Sequence, residues 1–161
     1  MKTERRADPK GRLVTMQIWT YPAVLRRIDD EYVVSFPDIP EALTGAASIE
    51  EARALAADAL DEAVLAYLAE GRAVPAPRAA AAGEEAIALD PLTAGRAAVA
   101  QLMRDHHLTK VRLAGLMDKD EKVVRRILNG KGGVSMETVT AALRALGARP
   151  SLNVEIAAAA I

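Results

Sequence analysis

The chain has 161 residues, no cysteine and a formal net charge of −1 at pH 7, so it can form one domain or two small ones without disulfides or cysteine-based zinc sites. No apolar run approaches the roughly 18 residues that a membrane span needs, and no apolar signal core follows the charged N-terminus. We therefore expect a cytoplasmic protein that does not bind membranes.

The N-terminal segment, residues 1–15, is polar and shows no periodicity. Such a composition predicts a disordered tail, and either Met1 or Met16 can be the natural start. We expect a first domain in residues 16–90 and a second in residues 91–161.

The first domain contains two runs rich in β-branched and aromatic residues, residues 17–28 and 32–36. The polar segment 29–31 separates them, which predicts a β-hairpin. A third strand is expected at residues 42–47, and weak alternation at residues 85–89 predicts a fourth.

A long helix is predicted between the third and fourth strands. Ser48 followed by Glu51 has the pattern of a capping box, and the apolar spacing continues to about Glu70 before Gly71 ends it. The apolar face predicted to pack on the sheet comprises Ala52, Leu55, Ala59, Leu60, Val64 and Leu68. The expected fold class is α+β, with a three- or four-stranded sheet and one covering helix.

The second domain is predicted to be mainly helical, with helices at residues 93–106 and 135–146 on either side of the segment 109–130. Residues 151–156 alternate in hydropathy and predict a terminal strand, whose backbone groups need a partner strand. Pairing with the same strand of a second subunit would give a two-fold homodimer, and two such dimers can associate further.

The segment 109–130 predicts two short helices joined by a tight turn. Asp120 is placed to cap the second helix, and Asn129 with Gly130 ends it. The inner, apolar positions are Leu113, Ala114, Met117, Val124, Ile127 and Leu128. The outward-pointing bases are Lys122, Arg125 and Arg126. This is the geometry of a helix-turn-helix whose second helix enters a DNA major groove, although similar helix pairs also occur in proteins that do not bind DNA.

The charge is distributed unevenly along the chain. Residues 15–90 carry five bases and fourteen acids, a net charge of −9, whereas residues 91–161 carry eleven bases and six acids, a net charge of +5. The basic segment suits a polyanion, and the acidic segment suits a basic partner. Solubility alone also explains the acidic segment, but it does not explain why bases collect around the predicted helix-turn-helix.

Five carboxylates of the first domain invite comparison with a two-metal nuclease site: Asp29, Asp30, Glu31, Asp38 and Glu41. Their spacing argues against it, because the first three lie in a predicted hairpin turn and the others in a loop between prolines, where acidic residues are common turn formers. No phosphate-binding loop or nucleophile set is recognisable. We therefore expect no catalytic residues, metal ligands or cofactor.

The second domain resembles the helix-turn-helix of the Cro/phage-repressor type in Leu113-Ala114, in the turn after Met117 and in the terminal Gly130. Asp118 stands where that family usually has glycine, and Lys119 stands where an apolar residue usually packs. Aspartate tolerates a left-handed turn, and lysine can bury its stem while its ammonium stays in water.

The first domain resembles the HicB antitoxin family over roughly residues 16–90. The resemblance is carried by four motifs: Tyr21-Pro22-Ala23-Val24, residues 32–40 with the sequence YVVSFPDIP, Thr44-Gly45, and Ser48 with Glu51-Ala52. It implies a truncated RNase H fold. Some members carry a C-terminal helix-turn-helix, an arrangement that residues 92–156 match.

The resemblance also implies a function. The partner would be a small basic HicA-type toxin that cleaves messenger RNA, held by the acidic domain over its active site. The basic domain would bind operator DNA upstream of its own operon. The catalytic set of RNase H cannot be placed on this sequence, so we expect no enzymatic activity.

Each predicted DNA contact has one of two roles. Phosphate contacts, which fix register, are expected from Thr109, Lys110 and Lys131. Contacts to bases are expected from Glu121, Lys122, Arg125 and Arg126. A dimer would present two such helices roughly 34 Å apart, which predicts a palindromic operator. Two alternatives remain: a stand-alone transcription regulator whose first domain binds a small ligand, and a metal-dependent nuclease.

Overall fold

The computed structural model describes residues 3–7, 13–130 and 133–154. It is an α+β structure, as the sequence predicts, with a four-stranded antiparallel sheet, a separate two-stranded sheet and five helices in this part of the chain. Among the described residues, no helix is both long and apolar enough to cross a membrane.

The N-terminal segment contains two strands, β1 (Thr3–Ala7) and β2 (Leu13–Gln17), which pair antiparallel. The prediction of a disordered tail was therefore wrong for these residues. Pairing satisfies their backbone groups, and a hydrogen bond from Gln17 Nε2 to Gln101 Oε1 (3.0 Å) ties the end of β2 to a later helix. Sequence periodicity does not reveal such a distant contact.

The main sheet consists of β3 (Thr20–Ile28), β4 (Glu31–Ser35), β5 (Leu43–Ala46) and β6 (Glu85–Ala88), in the order β5-β4-β3-β6. The predicted strands of the first domain are thus confirmed. Asp29 makes the hairpin turn between β3 and β4 with a positive φ of 53°, a conformation that aspartate tolerates better than most residues.

One face of this sheet is covered by α1 (Ile49–Ala69). Ser48 caps the helix as predicted, because its side-chain oxygen accepts a hydrogen bond from the backbone N–H of Glu51 at 3.2 Å. Leu55, predicted for the packed face, is instead 37% exposed. The helix buries Ala52, Ala56, Leu60, Ala63, Val64, Tyr67 and Leu68.

Four helices follow the sheet: α2 (Pro91–Asp105), α3 (Lys110–Leu116), α4 (Glu121–Leu128) and α5 (Met136–Ala145). Each begins at a polar cap, in order Asp90, Thr109, Asp120 and Ser135, whose side chain accepts from a backbone N–H of the first turn. We call β3–β6 with α1 the first lobe and α2–α5 the second lobe.

Helix α2 contributes buried residues to the cores of both lobes. Ala97 and Ala100 are buried in the core of the first lobe, whereas Val99 and Met103 are buried in the core of the second. A helix with apolar residues on opposite sides packs against two layers at once. The domain boundary at residue 90 stays a prediction. Helix α2, which begins directly after it, packs against the cores of both lobes.

The predicted terminal strand is not formed at residues 151–154, where the backbone has no regular structure and Leu152 and Val154 are 70% and 73% exposed. Residues 155–156 lie outside the described part. A strand needs a hydrogen-bonded neighbour, and no strand among the described residues pairs with this segment. The homodimer that would supply such a neighbour remains a prediction.

Candidate nucleic-acid interface

The helices α3 and α4 turn their apolar residues inward, as the sequence predicts. Leu113, Val124 and Ile127 are fully buried and Ala114 is 4% exposed. They pack with residues of α2 and α5, namely Val99, Met103, Val139, Ala142 and Leu143. Burying a large aliphatic side chain contributes roughly 1.5–3 kcal/mol. This core holds the two short helices in a fixed relation, which their length alone would not achieve.

The turn between α3 and α4 depends on Asp118, which has a positive φ of 52°. This conformation allows the backbone N–H of Lys119 to donate to the carbonyl of Ala114 at 3.0 Å and close the end of α3. Asp120 then caps α4, accepting from the N–H of Lys122 at 2.7 Å. The glycine of the resembled family is thus replaced by a residue that adopts the same type of turn.

Lys119 is exposed and lines a cleft together with Val123 of α4. Its exposure agrees with the interpretation that a lysine is tolerated here with its ammonium in water.

The end of α4 contacts the first lobe. Asn129 keeps a right-handed conformation, with φ −77°, and Gly130 alone is left-handed, with φ 64°. A Cβ atom on residue 130 would lie 3.0 Å from the carbonyl oxygen of Leu65 in α1. Gly130 is therefore required both by its backbone angle and by this close approach.

The outer surface of α4 is cationic. Lys122, Arg125 and Arg126 are exposed, as predicted, and Glu121 accepts a hydrogen bond from Arg125 Nε at 2.9 Å. An exposed ion pair one helical turn apart adds only a few tenths of a kcal/mol to stability. Its main consequence is to orient the Arg125 guanidinium, beside the exposed Lys122 and Arg126.

Thr109 and Lys110 lie exposed at the start of α3. The Thr109 hydroxyl caps the helix by accepting from the N–H of Arg112 at 3.2 Å. Lys131, the third residue predicted to contact phosphate, lies outside the described residues. Six of the seven residues predicted to contact DNA are therefore described by the structure, and they lie at the start of α3 and on the outer side of α4.

Two further bases near this surface were missed by sequence reasoning. Arg104 lies at the end of α2 and His107 in the turn before α3. Both line a cleft between the end of α1 and the start of α3, together with Thr109 and Lys110. His107 has a positive φ of 51°, which reverses the chain between the two helices. A histidine pair at a helix end was visible in the sequence, but its position beside α3 depends on this turn.

Two of the five carboxylates considered for a nuclease site, Asp38 and Glu41, are paired with arginines. Arg72 binds Glu41 at 2.9 Å, and Arg78 binds Asp38 at 3.2 Å. The hydrogen bond from the Tyr67 hydroxyl, followed by that from Arg72, lowers the pKa of Glu41 to about 2. In the described part of the chain, no three acidic or histidine side chains are grouped so that they could hold a metal ion. Both carboxylates connect the loop between β4 and β5 to the segment that follows α1.

Asp61 of α1 lies at the junction with α2. Its carboxylate accepts hydrogen bonds of 3.0 and 3.2 Å from the backbone N–H of Asp90, the residue that caps α2. Burial, with a smaller contribution from the neighbouring Asp90 charge, raises the pKa of Asp61 to about 6. The lobe junction therefore contains a carboxyl group that titrates near neutral pH.

Known proteins are similar to this chain over most of its length. Residues 20–98 match the family described as HicB_like antitoxin of bacterial toxin-antitoxin system. Antitoxin HicB 1 of Photorhabdus laumondii subsp. laumondii is 32% identical over 136 residues, which cover 84% of this chain and 86% of the relative. Antitoxin HicB of Escherichia coli (strain K12) is 29% identical over 133 residues, or 82% and 96%. Alignments of this length extend across both lobes.

Proposed function

The chain belongs to the HicB antitoxin family, and we propose that it binds and neutralises a small basic HicA-type toxin while repressing its own operon through operator DNA. In this proposal the first lobe holds the toxin and the second lobe holds the DNA. The proposal rests above all on one observation, the α3–α4 unit with its buried inner side and its exposed Lys122, Arg125 and Arg126.

The geometry of α3 and α4 supports the DNA-binding part of the proposal. In a helix-turn-helix the second helix enters the major groove, and arginine or lysine pairs with guanine O6 and N7. Lys122, Arg125 and Arg126 would read bases together with Glu121, while Thr109, Lys110 and Lys131 would contact phosphates. Each good base contact contributes about 1–3 kcal/mol of discrimination.

The charge of the first lobe supports the toxin-binding part. A toxin that binds RNA must be cationic, and residues 15–90 carry a net charge of −9. Glu51, Asp58 and Glu62 are exposed along one side of α1, at positions that share a helical face. Such a row accelerates association with a basic partner through electrostatic steering.

The fold of the first lobe is compatible with a truncated RNase H domain that has no catalysis of its own. Its strand and helix order, three antiparallel strands followed by α1 and a fourth strand, is the supporting observation. Asp38 and Glu41 are engaged by arginines rather than grouped around a metal position. We propose a binding protein and not an enzyme.

A homodimer completes the proposal. Two recognition helices spaced by one turn of DNA, roughly 34 Å, would read a palindromic operator. The exposed, alternating segment around Leu152 and Val154 is a candidate for strand pairing between two copies. Two dimers on adjacent sites would form a dimer of dimers.

Co-expression with the neighbouring reading frame tests the toxin-binding part. We expect a short adjacent frame encoding a basic protein that arrests growth alone, is rescued by this chain and co-purifies with it. If the neighbouring protein is neither toxic nor bound while this chain still binds its upstream DNA, the stand-alone regulator is the better account. Magnesium-dependent RNA cleavage by the isolated chain would instead support the nuclease.

A further inference from the structure

Two clefts border α4 on different sides. The first, about 730 Å³, lies between the end of α1 and the junction of α2 with α3, and it reaches Leu128 and Asn129 at the end of α4. The second, about 400 Å³, lies between the turn before α4 and the start of α5, and it is lined by Val123 and Arg126 of α4. The outer surface of α4 therefore projects between two depressions.

The first cleft is lined by Arg104, His107 and Lys110, together with the hydroxyl-bearing Thr109. Arg104 Nη1 donates to the carbonyl oxygen of Arg72, at 3.1 Å, across the lobe junction. A guanidinium has five N–H donors, so this bond fixes the side chain and leaves other donors for a ligand. His107 supplies an N–H donor in either tautomer.

The acidic content of the first cleft is small and is already neutralised. Glu70 is the acidic residue among its described lining residues, and it lies 3.4 Å from a guanidinium nitrogen of Arg72. Arg72 also binds Glu41, so it serves as a wall of the cleft rather than as a free charge. The cations left facing the opening are those of the second lobe.

The second cleft has the same character. Lys119 and Arg126 line it together with the hydroxyls of Ser135 and Thr138, and its described lining residues include no acid. Ser135 Oγ and Thr138 Oγ1 lie 3.0 Å apart and can both contact one oxyanion. Lysine, arginine and hydroxyl side chains are the usual partners of DNA phosphates.

We propose that the two clefts receive the two sugar–phosphate strands that border the major groove into which α4 inserts, an inference that rests on the proposed DNA binding. The major groove is about 12 Å wide and has one phosphate strand along each edge, which matches one cationic cleft on each side of a single helix. Lys119, whose position is usually apolar in the resembled family, then has a role as a phosphate ligand. The end of α1 forms one wall of the site, so DNA lies against both lobes.

Salt-dependent binding of Arg104→Ala and Lys119→Ala tests this inference. The probes are a duplex of roughly 30 base pairs from the region upstream of the gene, long enough for two half-sites, and a shuffled duplex of the same composition. Arg26→Ala is the matched control, because it removes one exposed cation from β3, away from both clefts. Melting temperature and toxin binding of each variant report on folding.

Each cleft variant is expected to weaken binding to both duplexes by the same factor. Its loss of affinity relative to the wild type should be about eightfold greater at about 0.1 M salt than at about 1 M salt. The slope of log K against log salt should fall by about one for each lost contact. Arg104→Lys should keep the slope because it keeps the charge, and Arg26→Ala should match the wild type.

Three outcomes would overturn the inference. These are an unchanged salt slope in folded Arg104→Ala and Lys119→Ala, a loss of affinity equal to that of Arg26→Ala, or a loss confined to the upstream duplex, which would mean base reading rather than phosphate contact. Failure of the proposed function has a different signature, since the wild type would then bind neither duplex or would not prefer the upstream one.

Discussion

In the first lobe Arg53, Arg72 and Arg78 each hold a carboxylate from a distant part of the chain, at 2.7 to 3.2 Å. The bases on α3 and α4 are exposed instead, and Arg125 pairs with Glu121 on its own helix. The first lobe thus uses these three arginines internally, to fasten loops and β6, and its exposed acids outnumber its remaining exposed bases, Arg26 and Arg27. The second lobe packs its core with apolar residues and, apart from the buried Arg96 of α2, leaves its described lysines and arginines exposed. The two lobes therefore differ in the sign of the charged groups that they expose as well as in their net charge.

The two lobes nevertheless form a continuous structure through α2 and the contact of Gly130 with Leu65. The lobes thus differ in the charge of their surfaces but are packed together through α2 and the end of α4. The predictions that follow test whether the lobes are separate in binding but coupled in folding, in order of decreasing expected effect.

The largest effect is expected from Ile127→Ala in the core of the second lobe. Ile127 is fully buried, so the substitution should lower the free energy of unfolding by about 2–5 kcal/mol. Trp19, the only tryptophan, packs against the core of the first lobe and reports on that lobe by fluorescence. Because α2 belongs to both cores, the Trp19 transition should shift together with helix loss measured by circular dichroism. If the midpoint of the Trp19 fluorescence transition were unchanged by the substitution, the two lobes would unfold independently.

Gly130→Ala and Gly147→Ala form a matched pair for the contact between the lobes. Both glycines have a positive φ, 64° and 83°, which costs alanine about 1–2 kcal/mol. A Cβ at residue 147 has no atom within 4 Å, whereas one at residue 130 meets Leu65. Denaturant unfolding should therefore show a larger loss for Gly130→Ala. Equal losses would mean that the approach of α4 to α1 does not contribute to stability.

Asp61→Asn should stabilise the protein at pH 7. The pKa of Asp61 is raised to about 6 in the folded state, so the folded protein binds this proton more tightly than the unfolded chain. The favourable contribution is present below about pH 4 and is lost as the pH rises through about 6. Asparagine keeps an oxygen to accept from the N–H of Asp90. Because the carboxyl is only half-buried and solvent screens its charge, we expect a gain of about 1 kcal/mol at pH 7.

The measurement is urea unfolding at several pH values, with Asp105→Asn, an exposed position on α2, as the control. The wild type should lose stability relative to Asp61→Asn between about pH 4 and pH 6, and the difference should be constant above that range. A difference that does not vary with pH would contradict the raised pKa at the lobe junction.

The smallest effect is expected from Glu121→Gln. The substitution removes the carboxylate that binds Arg125 and one negative charge from the DNA-facing surface. Because an exposed pair of this kind contributes only about 0.3–0.5 kcal/mol, we expect an affinity for any duplex that is about twofold higher. Preference for the upstream sequence should fall. Fluorescence anisotropy with the upstream and shuffled duplexes distinguishes this result from a general loss of folding.

Local patterns were sufficient to predict most of the fold. Alternation and turn residues located β3 to β6, and the caps Ser48, Asp120 and Ser135 were placed correctly because capping depends on neighbours within three residues. The inward and outward sides of α4 followed from helical spacing alone.

Features that depend on distant contacts could not be predicted in this way. The β1–β2 pair is tied to α2 by Gln17 and Gln101, which are 84 positions apart. Arg104 joins the interface because it bonds to Arg72 of the other lobe. The ion pairs of Arg53, Arg72 and Arg78 with carboxylates could not be predicted either. The sequence shows the number of charges in a lobe but not which of them are paired.

The central claim is that the two lobes divide the labour of binding, and the most direct test is Arg125→Ala measured for both activities in the same preparation. Arg125 is exposed on α4, so a folded variant is expected. Affinity for the upstream duplex should fall on the order of ten- to a hundredfold, the effect of losing one good base contact, while toxin neutralisation in co-expression stays at the wild-type level. Equal loss of both activities in a variant with unchanged melting temperature would contradict the division between the lobes.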